Sequence, residues 1–88
     1  MLTTTQAFDI LRLDEDANSD LVHSLVEAIP PYIELSTGLS TAQQDAEPMC
    51  YALSKVLLSL WYYGDKADAI SLTRIAESLQ KAIGVKYE

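Results

Sequence analysis

Apolar residues recur along this chain at helical spacing in four stretches, and nowhere do they alternate with polar residues over the length of a strand. Ala7, Phe8 and Leu11 share one side of a short helix predicted over residues 4–13. Thr3 opens it, with Gln6 three positions later in the reciprocal arrangement of a capping box. The polar run Asp14-Glu15-Asp16-Ala17-Asn18 breaks the pattern, and Asn18 or Asp16 stands where a side-chain oxygen would cap the next helix. In that second helix Leu21, Val22, Leu25, Val26 and Ile29 form one stripe, which Tyr32, Ile33 and Leu35 continue and Gly38 closes.

Pro30 and Pro31 fall inside that stripe. A proline in a helix interior removes a hydrogen-bond donor and clashes with the preceding turn, at a cost of about 3 kcal/mol, so a kink or a restart is expected there. Residues 39–47 read as a connection. Pro48 suits the first turn of a third helix, with Asp45 or Glu47 near its positive end, and Gly64 stops it. Asp65 is placed to cap a fourth helix over residues 66–83, where Leu72, Ile75, Ala76, Leu79 and Ile83 make another stripe before Gly84 closes it. The tail Val85-Lys86-Tyr87-Glu88 either frays or reaches a neighbour. The expected fold is all-α: one domain over residues 1–88, a compact bundle of three longer helices with a short N-terminal helix packed across it.

The third helix complicates this simple bundle. From Pro48 to Tyr63 it carries one charge, Lys55, and is apolar on nearly every side, the pattern of a helix buried all round. A chain of 88 residues buries only about 60% of the surface it exposes when unfolded, so something beyond the chain is expected to cover part of this helix. If Leu53, Val56, Leu57 and Leu60 face the chain's own core, then Tyr51, Leu58 and Tyr62 fall on other faces. With Trp61 and Tyr63 they form a candidate subunit or partner interface, in keeping with the enrichment of large aromatic residues at such surfaces. In the competing reading the first two helices cover these residues.

Composition is that of a globular protein, 49% hydrophobic and 22% charged. No stretch reaches the roughly 18 apolar residues of a membrane span, and the first residues lack the basic start and apolar middle of a signal peptide. A lone Cys50 excludes an internal disulfide and suits a small core side chain in a reducing compartment. The net charge of −7 is uneven: residues 1–49 hold nine acids against Arg12, a balance of −8, whereas residues 50–88 hold four acids and five bases, a balance of +1. An acidic surface argues against phosphate-driven binding of nucleic acid, and does not exclude a protein that lets DNA slide past without gripping it.

The spacing Asp14-x-Asp16-x-Asn18-x-Asp20 resembles the opening of an EF-hand calcium loop. Its sixth position is Ser19 where the turn needs glycine, and its twelfth is Leu25 where a bidentate glutamate belongs, so a solvated acidic cap is expected and no metal site. His23 and Cys50 are each the only residue of their kind, too few for a zinc set or a conventional Cys-His nucleophile, and His23 is expected at the surface or its boundary. Ser24 lacks a strand-to-helix elbow, and Gly38, Gly64 and Gly84 build no phosphate loop. Ser19-Asp20-Leu21 inverts the Asp-Ser-Leu order that acyl carrier proteins require. No catalytic residue, cofactor or metal is expected, and the chain does not read as an enzyme.

The order of these features resembles the small head-tail connector family of tailed bacteriophages, whose members are often described as possible DNA-packaging proteins. The likeness is carried by Met1-Leu2-Thr3 leading into Leu11-Arg12-Leu13-Asp14, the acidic break through Asp20, and Leu21 to Glu34 with Tyr32-Ile33-Glu34. Thr37-Gly38 and a proline-started apolar helix ending in Leu60-Trp61-Tyr62-Tyr63 complete it. Pro30-Pro31 departs from the unbroken second helix of such proteins, and Gly64-Asp65-Lys66 replaces the polar Asn-Arg-Glu type of sequence that comes after their third.

The resemblance implies a ring of identical subunits beneath the portal of the capsid, at the head-tail junction of the virion and in the host cytoplasm during assembly. DNA passes through such a ring without sequence-specific binding, and tail-side connector proteins attach to it. The uneven charge fits a ring, because each subunit must meet the next through two different, complementary faces. The alternative from another class is a small acidic regulatory or inhibitor protein that binds a protein partner as a monomer or dimer.

Overall fold

A computed structural model of the protein describes residues 2–14, 18–64 and 69–87, and every regular element among them is a helix. The chain runs through α1 (Thr4–Leu11), α2 (Ser19–Thr37), α3 (Thr41–Ala46), α4 (Pro48–Tyr62) and α5 (Ala69–Lys86). The all-α bundle of three long helices and a short N-terminal one is the expected architecture, with α3 as an addition. α2 and α4 form its centre and each touches every other helix, while α1 and α3 do not touch α5. The molecule measures 40 × 28 × 18 Å, a slab about two helix layers thick.

Thr3 caps α1 as predicted: its hydroxyl accepts from the Gln6 amide at 3.1 Å and the Gln6 side chain accepts from the Thr3 amide at 2.9 Å. The helix ends at Leu11, short of the predicted residue 13, because Arg12 turns left-handed with φ 57° and the Leu13 amide donates back to the Phe8 carbonyl. Asn18 is also left-handed, with φ 52°, and makes no side-chain cap, contrary to expectation. Asp16, the alternative to Asn18, and Asp65, the cap expected for the last helix, lie outside the described residues.

Of the kink or restart expected at Pro30-Pro31, the restart does not occur. α2 continues through both prolines to Gly38, whose φ of 81° closes it while its amide donates to the Glu34 carbonyl. Tertiary packing overrides the local cost: Val22, Val26 and Ile29 before the prolines and Ile33 after them are all buried in one core, and Pro30 itself is buried. Pro31 is exposed and makes no such contribution. Pro31→Ala is therefore expected to stabilise the chain by about 1–2 kcal/mol, since it restores a donor for the Glu27 carbonyl at the loss of a smaller unfolded-state constraint. The midpoint of urea unfolding measures this, and a lower midpoint would show that α2 depends on the proline.

The connection after Gly38 holds an unanticipated helical turn and a half. Ser40 and Gln43 repeat the capping box of α1, and they open α3. Buried Gln44 donates to the carbonyls of Pro30 at 3.0 Å and Leu39 at 2.9 Å, tying this segment to the middle of α2. Pro48 takes the first turn of α4 as predicted, with Glu47 as its N-cap accepting from the Met49 amide at 3.0 Å. Gly84 does not end α5, which continues to Lys86. An isolated glycine costs a helix about 1 kcal/mol, and here Ile83 buried before it and the anchored residues after it outweigh that cost.

Candidate interaction surface

The apolar pattern of α4 predicts more hydrophobic surface than the chain can bury, with Tyr51, Leu58, Trp61, Tyr62 and Tyr63 left for a partner. The structure corrects this for Leu58, which has 0% exposure and belongs to the chain's own core with Leu53 and Leu57. The physical reason is the central place of α4: the four other helices approach it from several sides, so more than one face is interior.

The three aromatic residues at the end of α4 are partly buried and each has an internal partner. Trp61 meets the ring of Tyr32 on α2 edge to face, with centroids 5.3 Å apart. Tyr63 donates its hydroxyl to the Leu11 carbonyl at 2.8 Å, satisfying an open acceptor at the end of α1. The Tyr62 hydroxyl accepts from Asn18 Nδ2 at 2.8 Å, which explains why that amide does not cap α2. The two tyrosine rings lie edge to face, 4.8 Å apart. Together they clamp the end of α1 and the start of α2 to α4. Of the five candidates only Tyr51 is well exposed, at 44%, with Lys55 Nζ 5.2 Å from its ring centroid.

His23 is exposed as expected and bridges two helices: Nε2 lies 3.0 Å from the Glu27 carboxylate and Nδ1 lies 3.3 Å from the Thr4 hydroxyl. Cys50 is buried, and burial pushes its thiol above its ordinary value. It lines a cleft of about 150 Å³ with Leu2, Ile29, Gln44 and Glu47. That is well below the roughly 300 Å³ at which small-molecule sites begin.

Glu47 is a hub of which the sequence reveals only the capping role. Besides capping α4, its buried carboxylate accepts from Lys86 Nζ at 2.6 Å and from the Tyr87 hydroxyl at 3.1 Å, so the tail reaches back within its own chain. The bond from Lys86, then the Met49 amide and the Tyr87 hydroxyl, hold its carboxyl below the ordinary 4.5 against the opposing effect of burial. The same pairing raises Lys86 above its ordinary 10.5. The folded carboxyl titrates below the unfolded one, so its stabilisation is complete above about pH 4.5 and is lost as pH falls through the lowered folded value. The contribution of Lys86 has the opposite sense, complete below about pH 10.5 and lost in stronger alkali. Glu47→Gln is expected to melt below the wild type at neutral pH, with the gap closing as pH falls below 4.5. A gap unchanged by acid would assign the loss to shape instead of charge.

Large apolar side chains remain exposed mainly on α2 and α5. The single sequence stripe of α2 divides into two: Val22, Val26, Ile29 and Ile33 are buried, while Leu21, Tyr32 and Leu35 stand out beside them, Leu35 at 90% exposure. With Leu25, which is partly buried against the core, and exposed Ala28 these residues recur at spacings of four, three, four and three, a ridge along the edge of the buried face. On α5, Ala76 and Ile83 face the core, whereas Ile75, predicted in that stripe, is exposed. Ile75, Ser78, Ala82 and Val85 form a second exposed ridge at spacings of three, four and three. The offset spacing is present in the sequence, but one broad stripe and two adjacent narrow ones look alike until the core direction is known.

No family model matches this chain, and neither a curated protein nor a solved structure does. No described helix is long and apolar enough to cross a membrane.

Proposed function

We propose that this chain is a structural subunit of the head-tail connector of a tailed bacteriophage or prophage, repeated in a ring beneath the portal. The observation that carries the reading is that the large apolar side chains left exposed lie mainly on two helices, Leu21, Tyr32 and Leu35 on α2 and Ile70, Ile75 and Val85 on α5, while the chain itself covers most of its most apolar helix. A closed ring needs two separate faces per subunit, one to give and one to receive, and scattered single apolar residues would not supply them. The resemblance in the order of elements points to the same assembly.

Charge supports the second half of the reading. Asp20, Glu27 and Glu34 are exposed at sevenfold spacing on a flank of α2 away from its ridge, and α2 contains no lysine or arginine. Turned toward a channel, such a flank keeps DNA moving by repelling its phosphates. The portal above and tail-side connector proteins below are the partners that this role requires. Negative-stain microscopy and native mass spectrometry of the purified protein are expected to show rings. A monomer from micromolar to near-millimolar concentration, or a ring that does not bind portal protein, overturns the proposal. A closed dimer with Trp61 at its two-fold axis and nothing larger would instead support a small acidic regulatory protein.

A further inference from the structure

We propose that neighbouring copies of this chain join by seating the α2 ridge of one copy against the α5 ridge of the next. The inference rests on the reading of the chain as a self-assembling subunit and names the contact. A ridge spaced by alternating threes and fours follows a 3.5-residue period, the spacing by which one helix lies along another with interlocking side chains. The α2 ridge from Leu21 to Leu35 extends for about 21 Å, and the α5 ridge from Ile75 to Val85 has the same period over about 15 Å.

Two features select α5 of a second copy as the occupant over α2 of a second copy. The first is shape. Leu21 and Leu35, with the part of Tyr32 that Trp61 leaves uncovered, make the α2 ridge large, whereas Ser78 and Ala82 leave room between Ile75 and Val85 on α5, so large side chains meet gaps. The second is charge. α2 carries Asp20, Glu27 and Glu34 with no lysine or arginine, and α5 carries Arg74 and Lys81 against Glu77, besides Lys86, which Glu47 of the same chain holds. Arg74 and Lys81 are seven residues apart, both adjoin the α5 ridge, and both are exposed. The acids of α2 lie off its ridge, so the effect is one of net charge: pairing α2 with itself would bring two acidic helices within about 10 Å of each other, and pairing it with α5 brings helices of opposite sign together. The contact is thus between unlike faces, which propagates from copy to copy.

The centres of the two ridges give the test. Ala28 and Ser78 are exposed; Ala28 is the middle of its ridge and Ser78 lies about 3 Å from the middle of the other, so with the ridges centred on each other the two come within reach in either direction. Ala28→Cys and Ser78→Cys are made in separate chains, with buried Cys50 left in place, and mixed under a mild oxidant at neutral pH. Linked 28–78 dimers are expected at least tenfold above the links formed by either variant alone, and a chain carrying both changes is expected to give a covalent ladder. Dominant 28–28 links would overturn the proposal in favour of a symmetric dimer. Rings that assemble without any 28–78 link would overturn this contact and leave the connector reading standing. A ladder from a chain that binds no portal would retain the contact and remove the connector. A chain that stays monomeric and unlinked at near-millimolar concentration overturns both.

Discussion

Leu58→Ala is expected to destabilise the folded chain by about 3 kcal/mol, within the 2–5 kcal/mol range for deleting a fully buried leucine side chain. Leu58 has no exposure, and its neighbours in the core come from helices on several sides, so little collapse can fill the space it leaves. A domain of this size has a total stability on the order of 4–13 kcal/mol, so the loss is a large fraction of the whole. Urea unfolding followed by Trp61 fluorescence and by helical circular dichroism measures it, and the two signals are expected to move together. Any weakening of self-association should track the unfolded fraction. A loss under 1 kcal/mol accompanied by dissociated subunits would return Leu58 to an interface.

Leu58 marks the point at which sequence reasoning stops. Helix α4 is visible from its composition, its proline start and its stop, and those limits hold to within a residue. The pattern does not contain how many neighbours the helix has. The area that a whole chain can bury does not say which helix occupies the middle, and here α4 shares that place with α2. A partner is therefore inferred for a residue that the chain covers itself.

Caps show the same division between local and tertiary causes. Thr3 with Gln6 is legible because both halves of the capping box lie within four residues, and Ser40 with Gln43 carries an identical signal in a segment that otherwise reads as a connection. The local rule makes Asn18 a cap, but its partner, Tyr62, is 44 residues away. The same rule makes Gly84 a stop, but the contacts that extend α5 past it, Lys86 and Tyr87 on Glu47, span about half the chain. Pro30 and Pro31 belong with these: the local rule gives the right cost and the core outweighs it. Of the candidate interface, Tyr51 alone keeps the exposure assigned to it, and the ridges of α2 and α5 emerge only when the buried side of each helix is fixed.

Leu35→Lys is expected to do the reverse of Leu58→Ala, leaving the fold intact and weakening self-association by at least tenfold. Leu35 is 90% exposed, so replacing it opens no cavity. Lysine is as good a helix former as leucine, and a cation in the last turns of α2 opposes the partial negative charge of that helix end, so the unfolding midpoint should stay within about 0.5 kcal/mol of the wild type. At the contact the change removes a large apolar side chain, whose burial is worth about 2 kcal/mol. It also presents a positive charge to a helix that already carries Arg74 and Lys81. A loss of about 2 kcal/mol alone corresponds to roughly a thirtyfold weaker association, and repulsion adds to it. Sedimentation equilibrium across a dilution series reads the association, and a thermal melt of the same samples reads the fold. Unchanged assembly would place the contact elsewhere on the molecule, while a lowered melt would mean that Leu35 supports α2 in a way its exposure does not reveal.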